Sequence, residues 1–166
     1  MKLNNKILRI TCMHEGSWKE PMIIYTDGAC SVHSPQQPGG WAWVKLNDGK
    51  MTCACGGEYH TTNNKMELTG AIKALKSTKK GMEIILYTDS KYVSDGMSQW
   101  ITKWMKKGWK NSSGKTVKNL SLWKDIYALA LDRTVIWKWV KAHDVNDWNN
   151  LADFLAVKGK EDLKDD

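Results

Sequence analysis

The chain has 166 residues, with 25 lysines and arginines against 18 acidic residues and a formal net charge of +7, a length that fits one domain able to bury roughly two thirds of its unfolded surface. No run approaches the roughly 18 apolar residues of a membrane span, and Arg9 interrupts Ile7 to Met13, so neither a membrane anchor nor a secretory core is expected. The four cysteines, Cys12, Cys30, Cys53 and Cys55, contain no C-x-x-C pair and read as small thiols of a reduced, cytoplasmic protein, while the basic balance points to a polyanionic partner.

In chain order, 1–20 reads as a polar extension with scattered apolar residues. Pro21 then opens a strand that runs to Asp27, and a turn-rich stretch follows from Ser31 to Gly40. Trp41 to Leu46 and Met51 to Tyr59 pair across Asn47-Asp48-Gly49, a strong hairpin signal. From Asn64 the period becomes helical, with Leu68, Ala71, Ile72 and Leu75 on one face, ending near Lys80-Gly81. Met82 to Thr88 is a fourth strand. Helical stretches are expected at Ser90 to Asp95, Gln99 to Lys107 and Leu120 to Leu131, then a fifth strand at Val135 to Val140, a last helix from about Asn149 to Val157 and a charged tail at 161–166. The order predicts an α/β fold: a five-stranded mixed sheet, its first three strands antiparallel and its fourth and fifth parallel, with helices on both faces.

Two near-copies of one phrase stand out, Ile24-Tyr25-Thr26-Asp27-Gly28 and Leu86-Tyr87-Thr88-Asp89-Ser90. Each is an apolar strand that stops on an aspartate. Alternate side chains share a face, so Tyr25 and Asp27 point one way, as do Tyr87 and Asp89. If the strands are parallel neighbours the carboxylates lie side by side, an arrangement that holds a divalent cation or shares a proton. Each Asp can also be read as an N-cap of the helix that follows. Glu67 begins the first long helix on its sheet-facing side, and Asp153 sits among Leu151, Ala152, Phe154 and Leu155, where an unpaired charge is costly. Four carboxylates able to converge at one sheet edge make an oxygen-rich cage suited to Mg²⁺, with Mn²⁺ the alternative, and two ions there fit phosphodiester displacement by water. His143, in the loop after the last strand, suits a proton shuttle.

Between Gly96 and Lys124 there is no acidic residue, yet Lys103, Lys106, Lys107, Lys110, Lys115, Lys118 and Lys124 alternate with Trp100, Trp104, Trp109 and Trp123. Lysines neutralise phosphates and indoles offer flat faces to sugars and bases. Trp100 and Trp104, at i and i+4, also read as one packed face of a short helix with solvated lysines opposite.

Across nearly all of Met22 to Lys158 the chain resembles type 1 ribonuclease H. The resemblance rests on Tyr25-Thr26-Asp27-Gly28-Ala29-Cys30, on Thr61-Thr62-Asn63-Asn64-Lys65-Met66-Glu67-Leu68, on Thr88-Asp89-Ser90-Lys91-Tyr92-Val93, on the basic segment from Gln99 to Asn119, and on Trp139-Val140-Lys141-Ala142-His143 followed by Asn149 and Asp153. It implies an RNase H-like catalytic domain at 21–160 with a basic protrusion at about 98–119, acting as a monomer on the RNA strand of RNA–DNA hybrids and leaving 5′-phosphate and 3′-hydroxyl ends. It further implies Asp27, Glu67, Asp89 and Asp153 as catalytic metal ligands and His143 as an aid to proton transfer or product release. Substrate contacts are implied for Gly28, Cys30, Asn63 and Asn64 near the cut, for Thr62 at a DNA phosphate, for Trp100, Trp104, Lys106, Lys107, Trp109, Lys110 and Lys118 along the DNA strand, and for Lys91 and Asn149. The loop from Ser31 to Gly40 is longer than the family's usual turn, and Asp144, Asp147 and Trp148 replace its common residues after the histidine; Asp144 or Asp147 is then a further candidate to bind metal or tune His143. Two other readings share the fold: a non-catalytic hybrid- or duplex-binding module, and a polynucleotidyl transferase or resolvase, which lacks the Trp-Lys protrusion.

Overall fold

The computed structural model describes residues 20–164, so all but the last residue of the 1–20 extension lies outside it. The strands are β1 (Met22–Cys30), β2 (Gly39–Asn47), β3 (Lys50–Glu58), β4 (Glu83–Thr88) and β5 (Thr134–Trp139). They form a five-stranded sheet in the order β3-β2-β1-β4-β5. Antiparallel pairs join β1 to β2 and β2 to β3, and parallel pairs join β1 to β4 and β4 to β5. The hairpin signal is explained by its turn: Asp48 and Gly49 both have positive φ, 49° and 71°, as the tight two-residue turns that match strand twist require.

The helices are α1 (Asn63–Lys76), α2 (Lys91–Asp95), α3 (Ile101–Lys106), α4 (Leu120–Leu131) and α5 (Asp147–Glu161). One face of the sheet carries α1, with α4 packed on it, around a core that includes Ile24, Leu68, Leu75, Ile84, Leu86, Trp123 and Ile126. The other face is covered over β1, β2 and β3 by α5, where Tyr25, Val44 and Ala152 are buried. Each helix is thus amphipathic in the sense its spacing demands, burying one stripe and exposing lysines on the other.

Pairing carries β1 past Asp27 to Cys30 and starts β2 at Gly39, and the last helix continues past Val157 to Glu161; three further differences have a local cause in side chains. The first long helix stops at Lys76, four residues before Lys80, because the Ser77 and Thr78 hydroxyls turn back to donate to the carbonyls of Ala74 and Leu75, both at 2.7 Å. The gap expected between Asp95 and Gln99 is filled by a single π-helical turn, Gly96–Trp100, that joins α2 to α3. Gly96 is why the turn fits: a Cβ there would lie 2.9 Å from Trp123 Cζ2 and closer still to other atoms of that fully buried ring. The last helix starts at Asp147, two residues early, because Asn146 is its N-cap.

Candidate active site

The register of β1 and β4 pairs Tyr25 with Tyr87 and Thr26 with Thr88. The twin phrases therefore lie side by side, but only the second strand stops at its aspartate: Asp89 follows the end of β4, whereas β1 continues to Cys30 because Asp27 to Cys30 pair with β2, leaving Asp27 inside the strand beside the end of β4. Glu67 arrives from the second turn of α1. Its approach depends on Gly28, where a Cβ would sit 2.5 Å from the Met66 carbonyl carbon and 2.9 Å from the Glu67 Cα. Glycine at 28, expected to leave room for substrate, is here required by the close packing of α1 on the end of β1. One oxygen from each of Asp27, Glu67 and Asp89 lies within 4.8 Å of the other two.

Crowding these acids out of water has an electrostatic cost that appears in their titration. Asp27 is pushed up to about 8, first by burial and then by the charge of Asp89, with the Gly28 amide, donating to its Oδ1 at 2.7 Å, pulling the other way. Glu67 is held well above the usual carboxylate range by burial and by Asp27 and Asp89. Asp89 is raised by burial, and a hydrogen bond from Asn149 opposes the rise. Glu67 Oε2 is buried with no hydrogen-bond partner. A dry cluster of oxygen donors that repel one another, one of them unpartnered, fits a hard divalent cation, whose charge offsets the repulsion and whose ligand preference is oxygen.

Asp153 stands at the border of this cluster. Its charge adds to the rise in Asp27, yet its side chain is 38% exposed and is not among the three that converge. The apolar neighbours in sequence point elsewhere, because Ala152 and Leu155 face the sheet while Asp153 turns toward the loop after β5. There His143, 77% exposed, places Nδ1 3.9 Å from Asp153 Oδ2. Its φ of 53° lies in the left-handed region. Asp144 and Asp147 are exposed, and neither belongs to the converging group.

Around the acids, Thr62 is the N-cap of α1 and accepts from the Lys65 amide at 3.3 Å, and Thr62, Asn63 and Asn64 are all exposed. Cys30 is half-buried and donates to the Thr61 carbonyl at 3.5 Å; burial pushes its thiol up. Asn149, expected to meet substrate, is 1% exposed, and its Nδ2 donates to Asp89 Oδ2 at 3.4 Å. In this structure it braces a carboxylate. Trp139 was absent from the expected site residues, yet its indole N–H donates to the Asp89 carbonyl at 2.8 Å, and the Lys91 ammonium sits 5.0 Å from its ring centroid. The parallel pairing of Thr88 with Trp139 brings it there, a register that residue order alone does not fix.

The basic segment forms an arm of α3 and the loop that follows. Tryptophans anchor it: Trp104 meets Trp123 edge-on at 5.1 Å, Trp100 lies 5.8 Å from Trp104, and the Tyr92 hydroxyl accepts from Trp123 Nε1 at 3.0 Å and Asn119 Nδ2 at 3.1 Å. The loop turns on Asn111, whose side-chain oxygen accepts from the amides of Ser113 and Lys115. Lys106, Lys107, Lys110 and Lys118 are exposed, and a groove is lined by Trp100, Lys103, Trp104, Lys107 and Lys110. Trp104 is packed against the core, as the reading of one packed helix face expects, and the groove beside it is lined by aromatic rings and lysines.

Known proteins place this geometry in one family. The RNase H family model matches residues 19–161. The ribonuclease H of Rickettsia akari is 48% identical over 141 residues, covering 84% of this chain and 91% of that protein. That of Wolbachia pipientis wMel is 49% identical over 140 residues, covering 84% and 95%. Among solved structures, LC9-RNase H1, described as a type 1 RNase H with the type 2 active-site motif, superposes with a TM-score of 0.77 at 28% identity, covering 87% of this chain and 74% of that one. A foamy viral protease-reverse transcriptase, solved in complex with RNA/DNA hybrid, shares the fold at a TM-score of 0.74 and 22% identity, covering 84% of this chain and 20% of that one. The chain belongs to the RNase H family, divalent-metal-dependent hydrolases of the RNA strand in RNA–DNA hybrids.

Proposed function

We propose that Asp27, Glu67 and Asp89, with Asp153 at their border, hold two Mg²⁺ ions over the scissile phosphate of an RNA–DNA hybrid, and that the chain works as a monomer. The observation that carries this reading is the converging trio with its unpartnered Glu67 oxygen. Bound there, divalent cations supply the activation of water and the stabilisation of the leaving oxygen. Water adds to phosphorus, the P–O3′ bond breaks, and the products carry a 3′-hydroxyl and a 5′-phosphate.

The chain's own residues do the rest. Asn149 and Trp139 fix the Asp89 side chain and backbone respectively. His143, exposed beside Asp153, takes or returns a proton at the edge of the site and loosens the product. Thr62, Asn63 and Asn64, with Cys30, present short polar groups at the amino end of α1, of a size to reach 2′-hydroxyls in a shallow minor groove, and the α1 amino terminus favours a phosphate. Lys91, exposed at the start of α2 over the Trp139 ring, offers a further cation to the substrate. Trp100, Trp104, Trp109 and the exposed Lys106, Lys107, Lys110 and Lys118 grip the DNA strand by stacking and charge. Strand choice follows from this asymmetry: the strand at the acids must carry 2′-hydroxyls, and the strand on the arm need not.

The test is a panel of end-labelled hybrid, single-stranded RNA and duplex DNA, each with Mg²⁺, Mn²⁺ or chelator. Cleavage confined to the RNA of the hybrid, abolished by chelator, is expected. A purified protein that binds hybrid but cuts nothing in either metal would replace the enzyme with a binding module.

A further inference from the structure

Tyr25 lies two residues before Asp27 on the same face of β1 and is 7% exposed. Its ring stacks on Tyr87, with centroids 4.8 Å apart and planes 12° from parallel. Stacking needs only a ring; the hydroxyl has a separate partner. Asn146 donates to it through Nδ2 at 3.2 Å. The other end of the same carboxamide, Oδ1, accepts from the amides of Trp148 and Asn149 at 3.1 and 3.0 Å and so caps α5. One side chain therefore ties the first turn of α5 to the strand that carries Asp27.

The loop before this tie is otherwise held to α5 itself, where Asn150 donates to the Asp144 carbonyl at 3.0 Å and Asp153 lies 3.9 Å from His143, so it follows wherever the helix start is set. Every residue from Lys141 to Val145 is exposed, Val145 at 93%. The body of α5 is secured independently, with Ala152 and Ala156 fully buried on the sheet. The helix start is tied to the sheet edge at two points, Asn146 to Tyr25 and Asn149 to Asp89; the first lies nearer the loop, with His143 three residues before the cap and Asn149 three residues after it.

We infer that Tyr25 and Asn146 form a latch that sets the amino end of α5 and its loop against the acidic cluster, making both positioning residues for hybrid cleavage. The inference rests on the reaction proposed above. It assigns the phenol a task that phenylalanine cannot perform, although phenylalanine would stack equally well.

Steady-state kinetics on an RNA–DNA hybrid with Mg²⁺ and amide hydrogen exchange on the metal-free protein test it together. Tyr25→Phe breaks the bond and keeps the stack. Asn146→Ser keeps a capping oxygen but cannot reach Tyr25. Each is expected to lower kcat about 3- to 10-fold with KM within about twofold. The double variant should be no worse than either single, since both remove one interaction. Asn146→Asp should retain wild-type kcat, because one carboxylate oxygen still caps α5 and the other accepts from the Tyr25 hydroxyl. In the metal-free protein, exchange at the Trp148 and Asn149 amides should speed about tenfold in both single variants and stay near wild type in Asn146→Asp, with the amides around Ala152 unchanged. Wild-type kcat in Tyr25→Phe, additive losses in the double variant, or unchanged exchange at Trp148 and Asn149 overturns the latch. Should the wild type cleave no hybrid at all, the proposed reaction falls, and the exchange measurement decides the latch by itself.

Discussion

The acidic edge and the basic arm are both clusters of like charge, and they meet that repulsion in opposite ways. At the edge, Asp27 and Glu67 are buried and Asp89 half-buried, fixed by strand register and by the approach of α1 at Gly28. Water cannot screen them, so protons remain bound or a cation must enter. On the arm the lysines stand in solvent, where repulsion falls off within a Debye length of roughly 8–10 Å at ordinary salt, and tryptophans below them supply the rigidity. Burial, more than charge number, decides which cluster is costly. It also divides the labour, because a buried cluster can demand one small hard ion in one place, whereas an exposed one attracts any polyanion along its length.

If the division is real, the largest effects come from the edge and fall on chemistry. Asp27→Asn is expected to lower kcat by about 10³-fold, the order associated with losing a principal electrostatic group, while hybrid binding without metal stays equal or tightens as repulsion from phosphate is removed. Asp89→Asn should lose less, since Asp27 is the more buried of the two and borders Glu67, Asp89 and Asp153. Single-turnover rates and equilibrium binding measured on the same preparations check both statements. Equal losses would remove the distinction between the two aspartates, and a large loss of binding would join edge and arm into one recognition surface.

A second effect sharpens the electrostatic side of the comparison. Because the native pKa of Asp27 is raised from 3.8 to about 8, the folded protein keeps a proton that the unfolded chain has released across that interval. Stability from this group is fully present below 3.8 and is lost as pH rises toward about 8. The metal-free protein should therefore lose stability relative to Asp27→Asn as pH climbs from 5 to 8, by a difference on the order of 2 kcal/mol. Chemical denaturation of both proteins in chelator measures it. Added Mg²⁺ should raise the wild-type midpoint more at pH 8 than at pH 5, because its ligands must be deprotonated. Parallel pH curves for wild type and Asp27→Asn would mean that the acids are not in conflict without metal.

Sequence carries different amounts of this. The sheet was legible because alternation, the Asp48-Gly49 turn and the repeated strand phrase are local patterns, and the order of parallel and antiparallel connections follows from them. Convergence of Asp27, Glu67 and Asp89 was legible from the repeated strand phrase and the helical spacing, although Asp27 lies within β1 and Glu67 in the second turn of α1, where a strand end and a first turn are expected. The π-turn at Gly96–Trp100 was not, because its cause is the ring of Trp123, remote in sequence. Nor was the burial of Asn149 or the bond from Trp139 to Asp89, which depend on where α5 packs over β1, β2 and β3 and on the register of β5 with β4. The need for glycine at 28 set by the α1 backbone is likewise invisible in the sequence, because α1 is remote from β1 along the chain. Side-chain type names the chemistry available; tertiary register decides who receives it.

The smallest expected effects belong to the arm, and they fall on binding. Lys106, Lys107 and Lys110 are exposed, so replacing one by Gln removes no packing and leaves α3 in place. Each lysine that meets a phosphate releases about one counterion, so each substitution should lower the slope of log Kd against log salt by about 0.9 and weaken hybrid binding about 2- to 5-fold near 0.15 M salt. kcat at saturating hybrid should not move, because none of these lysines contributes to the converging acidic group. The difference between variant and wild type should shrink as salt rises, which separates a phosphate contact from a structural loss, since a misfolded arm would stay weak at every salt concentration. A lysine whose removal lowers kcat with KM unchanged would show the arm positioning substrate on the acidic edge as well as holding it, and the two clusters would then be one device working through the bent path of the hybrid between them.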